Sequence, residues 1–386
     1  MPVPEPGYNI DALRRRIPLL ASCIPLNNCS QGPQTDATRA AAEQYLESWN
    51  RTGMDWEAWI EEVRLAKEAF AALIGASPED IAVFSSVSEA MSAVASALDF
   101  PGKRRRVVLS EIEFPTTGHI WLAQQRRGAR VSWVAQQNGV IETSEYEAAI
   151  DDDTALVAAC HGYFLNGFTQ DLSAIVKRAH AHDALVFADA YQTVGTQPID
   201  VRETGVDFLA SGTLKYLMGV PGIAFLYVRP ELVNSLEPSV TGWFGRSNPF
   251  SFDIKGLTWS AGASRFDSGT PPILNAYIGR AGMEMIAGIG VGKIRAWHEV
   301  LSQRLRDGGR DRGLTQHGTT DIARKTANTA FIVNDSHAIE QAMRARGVLP
   351  SARGPVIRLA PHFYNTLDDI DTALDLLAEL TRGERA

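Results

Sequence analysis

Short apolar runs alternate along the chain with longer segments in which apolar residues recur at helical spacing. Three of these runs, at 184–188, 206–210 and 223–228, are bounded by Gly, Pro and Asp, a pattern that predicts buried strands. The first run ends at Asp189, and the second leads through Ser-Gly-Thr-Leu to Lys215. Groups at the carboxyl ends of parallel strands face a common ligand crevice. The pattern therefore predicts one carboxylate and one lysine at neighbouring strand ends.

The region before these runs repeats the same alternation. A long helical pattern over 36–74, with a break at Gly53, comes first. The strands predicted after it are 81–84, 106–109, 130–134 and 154–159, and the predicted helices between the strands are 86–98, 117–126 and 171–182. Strands that alternate with helices are typical of an α/β domain with a largely parallel sheet.

A different order of elements follows the Gly-rich stretch 288–292, which lacks the spacing of a Walker loop and predicts a hinge between two helices. The elements predicted beyond it are a helix at 291–306, a strand at 329–333, a helix at 336–344, a strand at 356–359 and a helix at 367–382. They indicate a smaller α+β unit. We expect an N-terminal segment at 1–25, a large α/β domain at 26–287 and a small C-terminal α+β domain at 288–386.

Composition and charge narrow the class of protein. The 386 residues are 45% hydrophobic and 21% charged, with a net charge of −8. These values are typical of a globular protein and lack the basic excess of a nucleic-acid-binding protein. No apolar run reaches the roughly 20 residues that a membrane helix needs, and the N-terminus lacks the pattern of a signal peptide. We therefore expect a cytoplasmic protein with no nucleic-acid or membrane partner.

Cysteine and histidine usage argues against a metal site. The chain has three cysteines and no Cys-x-x-Cys pair, so neither a disulfide framework nor a zinc ribbon is expected. His180, His182 and Asp183 stand close together just before the run at 184–188. Because histidines suit a helix C-terminus, we interpret this group as a helix end and expect no metal.

A capped helix supplies a further candidate for ligand binding. The predicted strand 81–84 runs into Ser86, and Ser86 with Glu89 has the sequence pattern of a capping box. The free amides and the positive dipole end of such a helix can bind phosphate. Taken alone, this motif is explained by a plain serine cap, and Asp189 and Lys215 are explained by a structural carboxylate and a surface lysine. Together they indicate a cofactor site.

Four motifs in order along the chain carry a family likeness. They are Asp189-Ala-Tyr-Gln192, Lys215-Tyr-Leu-Met-Gly with Pro221-Gly222, Phe266-Asp-Ser-Gly-Thr-Pro271, and Arg358 followed by Tyr364-Asn365. Over nearly its whole length the chain resembles the class V aminotransferase family of fold-type-I pyridoxal-phosphate (PLP) enzymes, which includes cysteine desulfurases, selenocysteine lyases, kynureninase and isopenicillin N epimerase. The resemblance implies a large PLP-binding domain, with a mostly parallel mixed sheet flanked by helices, plus the small C-terminal domain.

The resemblance also implies PLP as the cofactor and assigns the residues around its ring. Lys215 would be the catalytic lysine, which bonds covalently to the cofactor and then moves the Cα proton of the substrate. Asp189 would pair with the pyridine nitrogen and keep it protonated, so that the ring can accept electrons from Cα. Gln192 would hydrogen-bond the ring hydroxyl, and Phe114 would stack on the ring.

Further roles are implied at the phosphate and at the substrate. Phosphate contacts would come from Ser86, Val87, Ser88 and Thr213. Gly269 and Thr270 resemble a loop that reaches the phosphate of a partner subunit, which implies a homodimer whose active site is shared across the interface. The substrate would be a small-molecule amino acid. Its carboxylate would be held in a bidentate pair by Arg358, with Asn28 and Cys29 of the N-terminal loop beside it.

The chain departs from the desulfurase pattern at three places. Desulfurases carry a nucleophilic Cys shortly before the substrate arginine, and the interval 346–355 contains none. Leu214 stands where desulfurases have a His before the lysine, and Phe164 stands where many members have an Asn near the ring hydroxyl. We interpret Cys29 as a small buried residue. The departures argue against persulfide chemistry and leave the carbanion chemistry intact.

We therefore expect a PLP-dependent enzyme that acts on an L-α-amino acid through a Cα carbanion. A lyase or β-elimination enzyme, cleaving C–S or Cβ–X without a desulfurase cysteine, is the leading hypothesis. An aminotransferase or an epimerase of the same family is the alternative, and a non-catalytic scaffold or sensor is a further one. A nicotinamide dehydrogenase is disfavoured because no Gly-x-Gly-x-x-Gly follows the first strand. The aromatic loop 243–259 indicates a partly apolar cavity wall or partner surface.

Overall fold

A seven-stranded mixed sheet forms the centre of the α/β part of the molecule. The computed structural model describes residues 5–100 and 102–383. The strands in all sheets of these described residues are β1 (Ile24–Pro25), β2 (Ile81–Phe84), β3 (Arg106–Ser110), β4 (Arg130–Val134), β5 (Thr154–Cys160), β6 (Leu185–Asp189), β7 (Phe208–Gly212), β8 (Ala224–Val228), β9 (Gln316–His317), β10 (Thr329–Ile332), β11 (Val348–Leu349), β12 (Ser351–Arg353) and β13 (Val356–Leu359). The large sheet has the order β2-β8-β7-β6-β5-β3-β4. Strands β3 to β7 pair in parallel, whereas β8 is antiparallel to both β7 and β2, which confirms the predicted α/β class.

Helices cover both faces of this sheet. The α-helices are α1 (Ile10–Arg14), α2 (Asp36–Thr52), α3 (Trp56–Ile74), α4 (Val87–Ala97), α5 (Pro115–Ala123), α6 (Thr143–Ala149), α7 (Leu172–His180), α8 (Val201–Thr204), α9 (Pro230–Val233), α10 (Ile273–Ile289), α11 (Val291–Asp311), α12 (Ser336–Ala345) and α13 (Leu367–Gly383). Successive strand residues point to opposite faces. Val186 and Ala188 of β6 therefore join the core built with α3 and α7, whereas Phe187 joins the core built with α4. Burial on both faces explains why the strands are continuous apolar runs.

Two glycines separate the long helices where the sequence predicts breaks. Gly53 follows α2 with φ of 71°, and the Asp55 side chain caps α3 by accepting the amide of Ala58. Gly290, with φ of 96°, separates α10 from α11. A left-handed or otherwise positive φ carries little steric cost only for glycine. The predicted break and the predicted hinge are both confirmed.

The C-terminal part has its own sheet and its own core. Its strands are antiparallel in the order β12-β13-β10-β9, and Trp297, Phe331 and Leu374 lie in a core separate from those of the large sheet. The N-terminal segment packs here, because β1 pairs with β11 and the Tyr8 hydroxyl donates to the Phe363 carbonyl at 2.8 Å. The division into 1–25, 26–287 and 288–386 stays a prediction, and residues 1–4, 101 and 384–386 lie outside the described residues.

The predicted helix end near His180 is confirmed, since α7 ends at that residue. His180 Nε2 lies 3.0 Å from Asp207 Oδ2, and His182 Nδ1 lies 2.7 Å from Asp152 Oδ1. Among residues 5–100 and 102–383, no group of three or more His, Cys, Asp or Glu side chains is arranged to hold a metal ion. None of the helices in these ranges is both long enough and apolar enough to cross a membrane.

Candidate active site

The carboxyl ends of six strands lie at one edge of the large sheet. Strands β3 to β7 are parallel, and β2 points the same way because two antiparallel pairings relate it to β7. A cavity of about 350 Å³ lies at this edge. Its lining includes predicted site residues from distant parts of the chain: Cys29, Ser86, Val87, Ser88, Phe114, Asp189, Gln192, Lys215 and Arg358.

Strand register fixes the position of Asp189 beside this cavity. Asp189 is the last residue of β6 and pairs with Cys160 of β5 on one side and with Ala210 of β7 on the other. Its Oδ1 accepts the amide of Tyr191 at 3.0 Å. Burial raises the pKa of Asp189, and the same effect lowers the pKa of Lys215, while the attraction between the two groups opposes both shifts. A lysine with a lowered pKa can present the neutral amine that a nucleophile requires.

The Lys215 amine lies over aromatic rings. Its Nζ is 4.1 Å from the ring centroid of Tyr191 and 5.7 Å from that of Phe114. Gly212 leaves room for this arrangement, because a Cβ at that position would collide with the Tyr191 hydroxyl. The Phe164 ring packs edge-on against Phe114, with 5.2 Å between centroids. The rings hold the amine in a defined place, since an aromatic face attracts a cation.

The start of α4 presents backbone amides to the cavity. Ser86 is the N-cap, and its hydroxyl accepts the amide of Glu89 at 3.2 Å. The other half of the predicted capping box does not form, because the Glu89 carboxylate instead accepts the amide and hydroxyl of Ser85. First-turn amides such as those of Val87 and Ser88 have no acceptor within the helix. This helix start can therefore bind an anion.

The side chain of Gln192 lines the cavity and carries a buried hydrogen-bond acceptor that no described residue satisfies. Its Nε2 donates to the carbonyl of Cys29 at 3.0 Å. Its Oε1 is buried and has no hydrogen-bond partner among the described residues. Leaving such an atom unpaired costs about 1–3 kcal/mol. The position is therefore complementary to a ligand that offers a hydrogen-bond donor.

Arg358 presents a buried guanidinium whose partners within residues 5–100 and 102–383 are all neutral. From β13, its Nη1 donates to the Phe164 carbonyl at 2.7 Å, and its Nη2 donates to the hydroxyls of Ser351 at 2.6 Å and Ser30 at 3.0 Å. The residue is only 1% exposed. A buried cation is costly unless it meets an anion. The site therefore favours an anionic ligand, and the planar fork of arginine suits a carboxylate.

Asn28 and Thr213 do not line the cavity, which differs from their predicted roles. The Asn28 amide donates to the Ala360 carbonyl, and its Oδ1 accepts the Tyr364 hydroxyl, each at 2.8 Å. Both ends of this side chain are thus used to brace the N-terminal loop, so the structure gives no support to Asn28 as a substrate ligand. The Thr213 hydroxyl donates to the Val220 carbonyl at 3.1 Å and stabilises the loop around Lys215 instead of facing the cavity.

Gly269 and Thr270 line a different cavity. This second cavity has a volume of about 630 Å³, and Phe244, Phe250 and Asp267 also line it. Asp267 fixes the loop, because its carboxylate accepts Lys67 Nζ and the Val83 amide, each at 2.7 Å. The expected contact of Gly269 and Thr270 is with a partner subunit, so their role stays a prediction.

The thiols near the site are buried. Cys29 is 2% exposed and Cys160 is 4% exposed, in agreement with the interpretation of Cys29 as a small buried residue. Burial raises the pKa of the Cys160 thiol well above its usual value, and its Sγ donates to the Gly162 carbonyl at 2.9 Å. The Cys160 thiol is therefore held protonated and is a poor nucleophile.

A buried carboxyl group lies behind the cavity wall. Glu113 precedes Phe114 and accepts the hydroxyl of Ser110 at 2.9 Å and the amide of Cys160 at 3.2 Å. Burial, reinforced by the charge of Asp189, raises the pKa of Glu113 to about 8. Glu113 is therefore mostly a neutral acid at pH 7, so it does not place a second buried negative charge near Asp189.

Sequence reasoning missed Tyr191 and Arg353, which both line the cavity. Tyr191 lies inside the motif from Asp189 to Gln192, so its position next to the predicted carboxylate was an available signal. Arg353 stands two positions after Ser351 on β12, and alternate strand residues share one face. Only the pairing of Ser351 with Arg358 across the β12–β13 hairpin shows that this face is turned to the site.

Comparisons with known proteins identify the family. The family model described as aminotransferase class-V matches residues 33–370. An uncharacterized aminotransferase of Bacillus subtilis (strain 168), YcbU, is 36% identical over 370 residues, which cover 95% of this chain and 97% of that protein. Kynureninase of Pseudomonas fluorescens is 27% identical over 398 residues, which cover 95% of this chain and 91% of that protein.

A solved structure shares the fold. A mutant of the protein C-DES, with glycine covalently linked to the PLP cofactor, superposes with a TM-score of 0.87 at 19% identity, covering 95% of this chain and 99% of that chain. The predicted fold and the predicted family resemblance are both confirmed. The chain belongs to the aminotransferase class-V family and is an enzyme of that family.

Proposed function

We propose that the protein is a PLP-dependent lyase that acts on an L-α-amino acid. The observation that carries this proposal is the buried Arg358 guanidinium, whose partners among the described residues are all neutral and which shares one cavity with the buried Asp189 and Lys215. An amino acid offers the carboxylate that this arginine lacks. The family and the shared fold support PLP as the cofactor.

The residues of the cavity fit this cofactor. The unpaired Oε1 of Gln192 requires a donor, which the ring hydroxyl supplies, and the Asp189 carboxylate suits a protonated pyridine nitrogen. The amides of Val87 and Ser88 suit the phosphate, and the Phe114 ring suits the face of the pyridine. When bound, PLP supplies an electron sink that makes the Cα–H bond of an attached amino acid acidic.

The side chains of this chain then handle the substrate and the proton. Lys215 would hold the cofactor through its amine, whose pKa is lowered by burial, and the same amine would accept the Cα proton of the substrate. Arg358 orients the substrate through its carboxylate. Tyr191, whose ring centroid lies 4.1 Å from Lys215 Nζ, would stabilise the ammonium that forms when Lys215 accepts the proton.

The lack of a cysteine in the segment before Arg358 favours loss of a leaving group at Cβ over persulfide chemistry. The interval 346–355 before Arg358 has no cysteine, and Cys160 is held protonated. Aminotransfer is the second candidate, because YcbU, at 36% identity, is named an aminotransferase. The two reactions differ in where the amino group goes, since β-elimination releases ammonia and aminotransfer leaves the nitrogen on the cofactor.

Product analysis separates these candidates. The purified holoenzyme is incubated with a panel of L-amino acids, and ammonia and pyridoxamine phosphate are measured in the same samples. The lyase predicts that ammonia accumulates while the cofactor stays in its aldehyde form. Pyridoxamine phosphate without ammonia would replace the lyase by an aminotransferase. Bound cofactor without any turnover would favour the scaffold or sensor.

A shared active site in a homodimer is part of the proposal. The loop that precedes Gly269 exposes apolar side chains, with Phe250 at 45%, Phe252 at 72% and Ile254 at 94% exposure. A contiguous apolar surface of this kind is typical of an interface. Sedimentation analysis of the wild type and of a Phe252→Ser, Ile254→Ser variant tests it, with dissociation of a dimer expected. We also propose a cytoplasmic location for the protein and the division of the chain into residues 1–25, 26–287 and 288–386.

A further inference from the structure

The charges that line the active-site cavity do not balance. The lining contains one carboxylate, that of Asp189, and three basic side chains, those of Lys215, Arg353 and Arg358. The proposed function assigns Asp189 and Lys215 to the cofactor and Arg358 to the carboxylate of the amino acid. Arg353 is then the one basic lining residue for which the proposed function provides no partner.

Arg353 lies on the same strand face as the residue that braces Arg358. Ser351 pairs with Arg358 across the hairpin, and its hydroxyl accepts Arg358 Nη2 at 2.6 Å. Two positions along β12, at a Cα spacing of about 7 Å, Arg353 projects from the same face. The two arginines therefore lie on one wall of the cavity, and both contribute to its lining.

Arg353 has no anionic partner of its own in the part of the chain that the structure describes. Its guanidinium donates one hydrogen bond, from Nη1 to the carbonyl of Ala352 at 3.2 Å. Other arginines of the C-terminal part do pair with acids: Arg346 contacts Glu379 at 2.7 Å, and Arg344 contacts Glu340 at 3.3 Å. Arg353 thus stays available to a ligand, and it is exposed where Arg358 is buried.

We propose that Arg353 binds a second anionic group at the far end of the substrate side chain. The substrates are then amino acids with an acidic side chain, of the dicarboxylate type. This inference rests on the proposed function, because it takes Arg358 as the partner of the carboxylate on Cα. An acidic side chain gives the unmatched guanidinium its partner, whereas a basic one would be repelled by two arginines.

Binding of unreactive acids to the holoenzyme tests the proposal. Succinate carries two carboxylates and butyrate carries one on a chain of the same length. Isothermal titration calorimetry measures their binding directly, without turnover. We expect the wild type to bind succinate roughly tenfold more tightly than butyrate, the scale of one partly exposed charge-assisted pair. We expect Arg353→Gln to abolish that preference while it leaves butyrate binding unchanged.

Two further variants complete the design. Arg353→Lys keeps the charge but loses the planar fork, and we expect part of the preference to remain. Arg126→Gln removes an exposed arginine outside the cavity, and we expect it to behave as the wild type. Equal binding of the two acids by the wild type would overturn the proposal. A loss of both acids in Arg353→Gln would also overturn it, because Arg353 would then serve the first carboxylate or the cofactor.

The proposed function can fail separately. A protein that takes up no PLP contradicts the proposed function, whatever the acids do. A protein that takes up PLP, reacts with amino acids and shows no preference for two carboxylates contradicts only the assignment of Arg353.

Discussion

The two walls of the active-site cavity are built in different ways. The sheet wall, formed by Asp189, Lys215 and Phe114, stands at the carboxyl edge of the seven-stranded sheet, where strand register sets the position of the carboxylate. The hairpin wall, formed by Arg353 and Arg358, comes from the four-stranded sheet. Its Arg358 is held by side-chain and carbonyl oxygens from three separate segments.

Because of this difference, the residues that carry out the reaction and those that select the substrate can vary independently. A residue fixed by backbone pairing at a strand end moves only if the sheet itself changes. A guanidinium held by hydroxyls can be retuned by a single substitution, such as one at Ser30 or Ser351. We infer that the sheet wall carries the reaction common to the family and that the hairpin wall selects the substrate.

The largest effect is expected from Lys215→Ala on the sheet wall. This substitution removes both the bond to the cofactor and the group that moves the Cα proton, so turnover should fall by at least about a thousandfold. Steady-state rates with the best amino acid measure it. Lys293→Ala, at an exposed lysine of α11, is the matched control and should keep full activity. Turnover by Lys215→Ala within tenfold of the wild type would break the assignment.

Arg358→Lys on the hairpin wall should have the next largest effect. The charge remains but the bidentate fork is lost, so KM should rise by about a hundredfold and kcat should change much less. A fall in kcat at unchanged KM would instead place Arg358 in the chemical step and blur the distinction between the walls. Circular dichroism of the variant shows whether the buried substitution leaves the fold intact.

Tyr191→Leu should change the ionisation of Lys215 in the cofactor-free protein. The Tyr191 ring favours the ammonium form, so its removal lowers the pKa of Lys215 further. Tyr191→Phe keeps the ring and should leave this pKa unchanged. The rate at which an amine-directed reagent labels Lys215, followed against pH, reports the shift. Identical profiles for the Leu and Phe variants would remove Tyr191 from the role proposed for it.

The smallest effect is expected at Glu113, behind the sheet wall. Its pKa is about 8 in the folded protein against a usual value of 4.5, so the fold binds this proton more tightly than the unfolded chain does. The resulting stabilisation is complete below about pH 4.5 and is lost as the pH rises toward 8. Glu113→Gln should therefore show a melting temperature that falls less between pH 5 and 8 than that of the wild type, by a few degrees.

The control for this measurement is Glu147→Gln, at an exposed glutamate of α6. It should follow the wild-type pH profile, because its side chain is exposed and lies outside the buried cluster around Glu113. Parallel profiles for wild type and Glu113→Gln would show that Glu113 is ionised in the folded protein at neutral pH.

The sequence predicted the sheet wall better than the hairpin wall, for a physical reason. Asp189 directly follows one apolar run and Lys215 comes shortly after another, so local pattern places them near strand ends. The partners of Arg358 come from residues 30, 164 and 351, and only tertiary packing brings these together. Arg353 was missed for the same reason, since the face of a short strand cannot be read from its own residues, whereas Tyr191 lies inside a motif that the sequence already offered. The contacts of Asn28 could not be predicted either, because its partners, Ala360 and Tyr364, lie at the other end of the chain.

The most direct test locates the cofactor on the chain. The holoenzyme is reduced with borohydride and digested, and mass spectrometry then identifies the modified lysine. We expect the pyridoxyl phosphate mass on the peptide that contains Lys215. Lys325 is the strongest alternative candidate for the modified lysine, because burial lowers its pKa to about 7. Its Nζ, however, already donates hydrogen bonds to Thr329 Oγ1 at 2.8 Å and to the Asn328 carbonyl at 3.0 Å. Modification of Lys325 instead, or a protein that takes up no PLP, would contradict the assignment of the sheet wall.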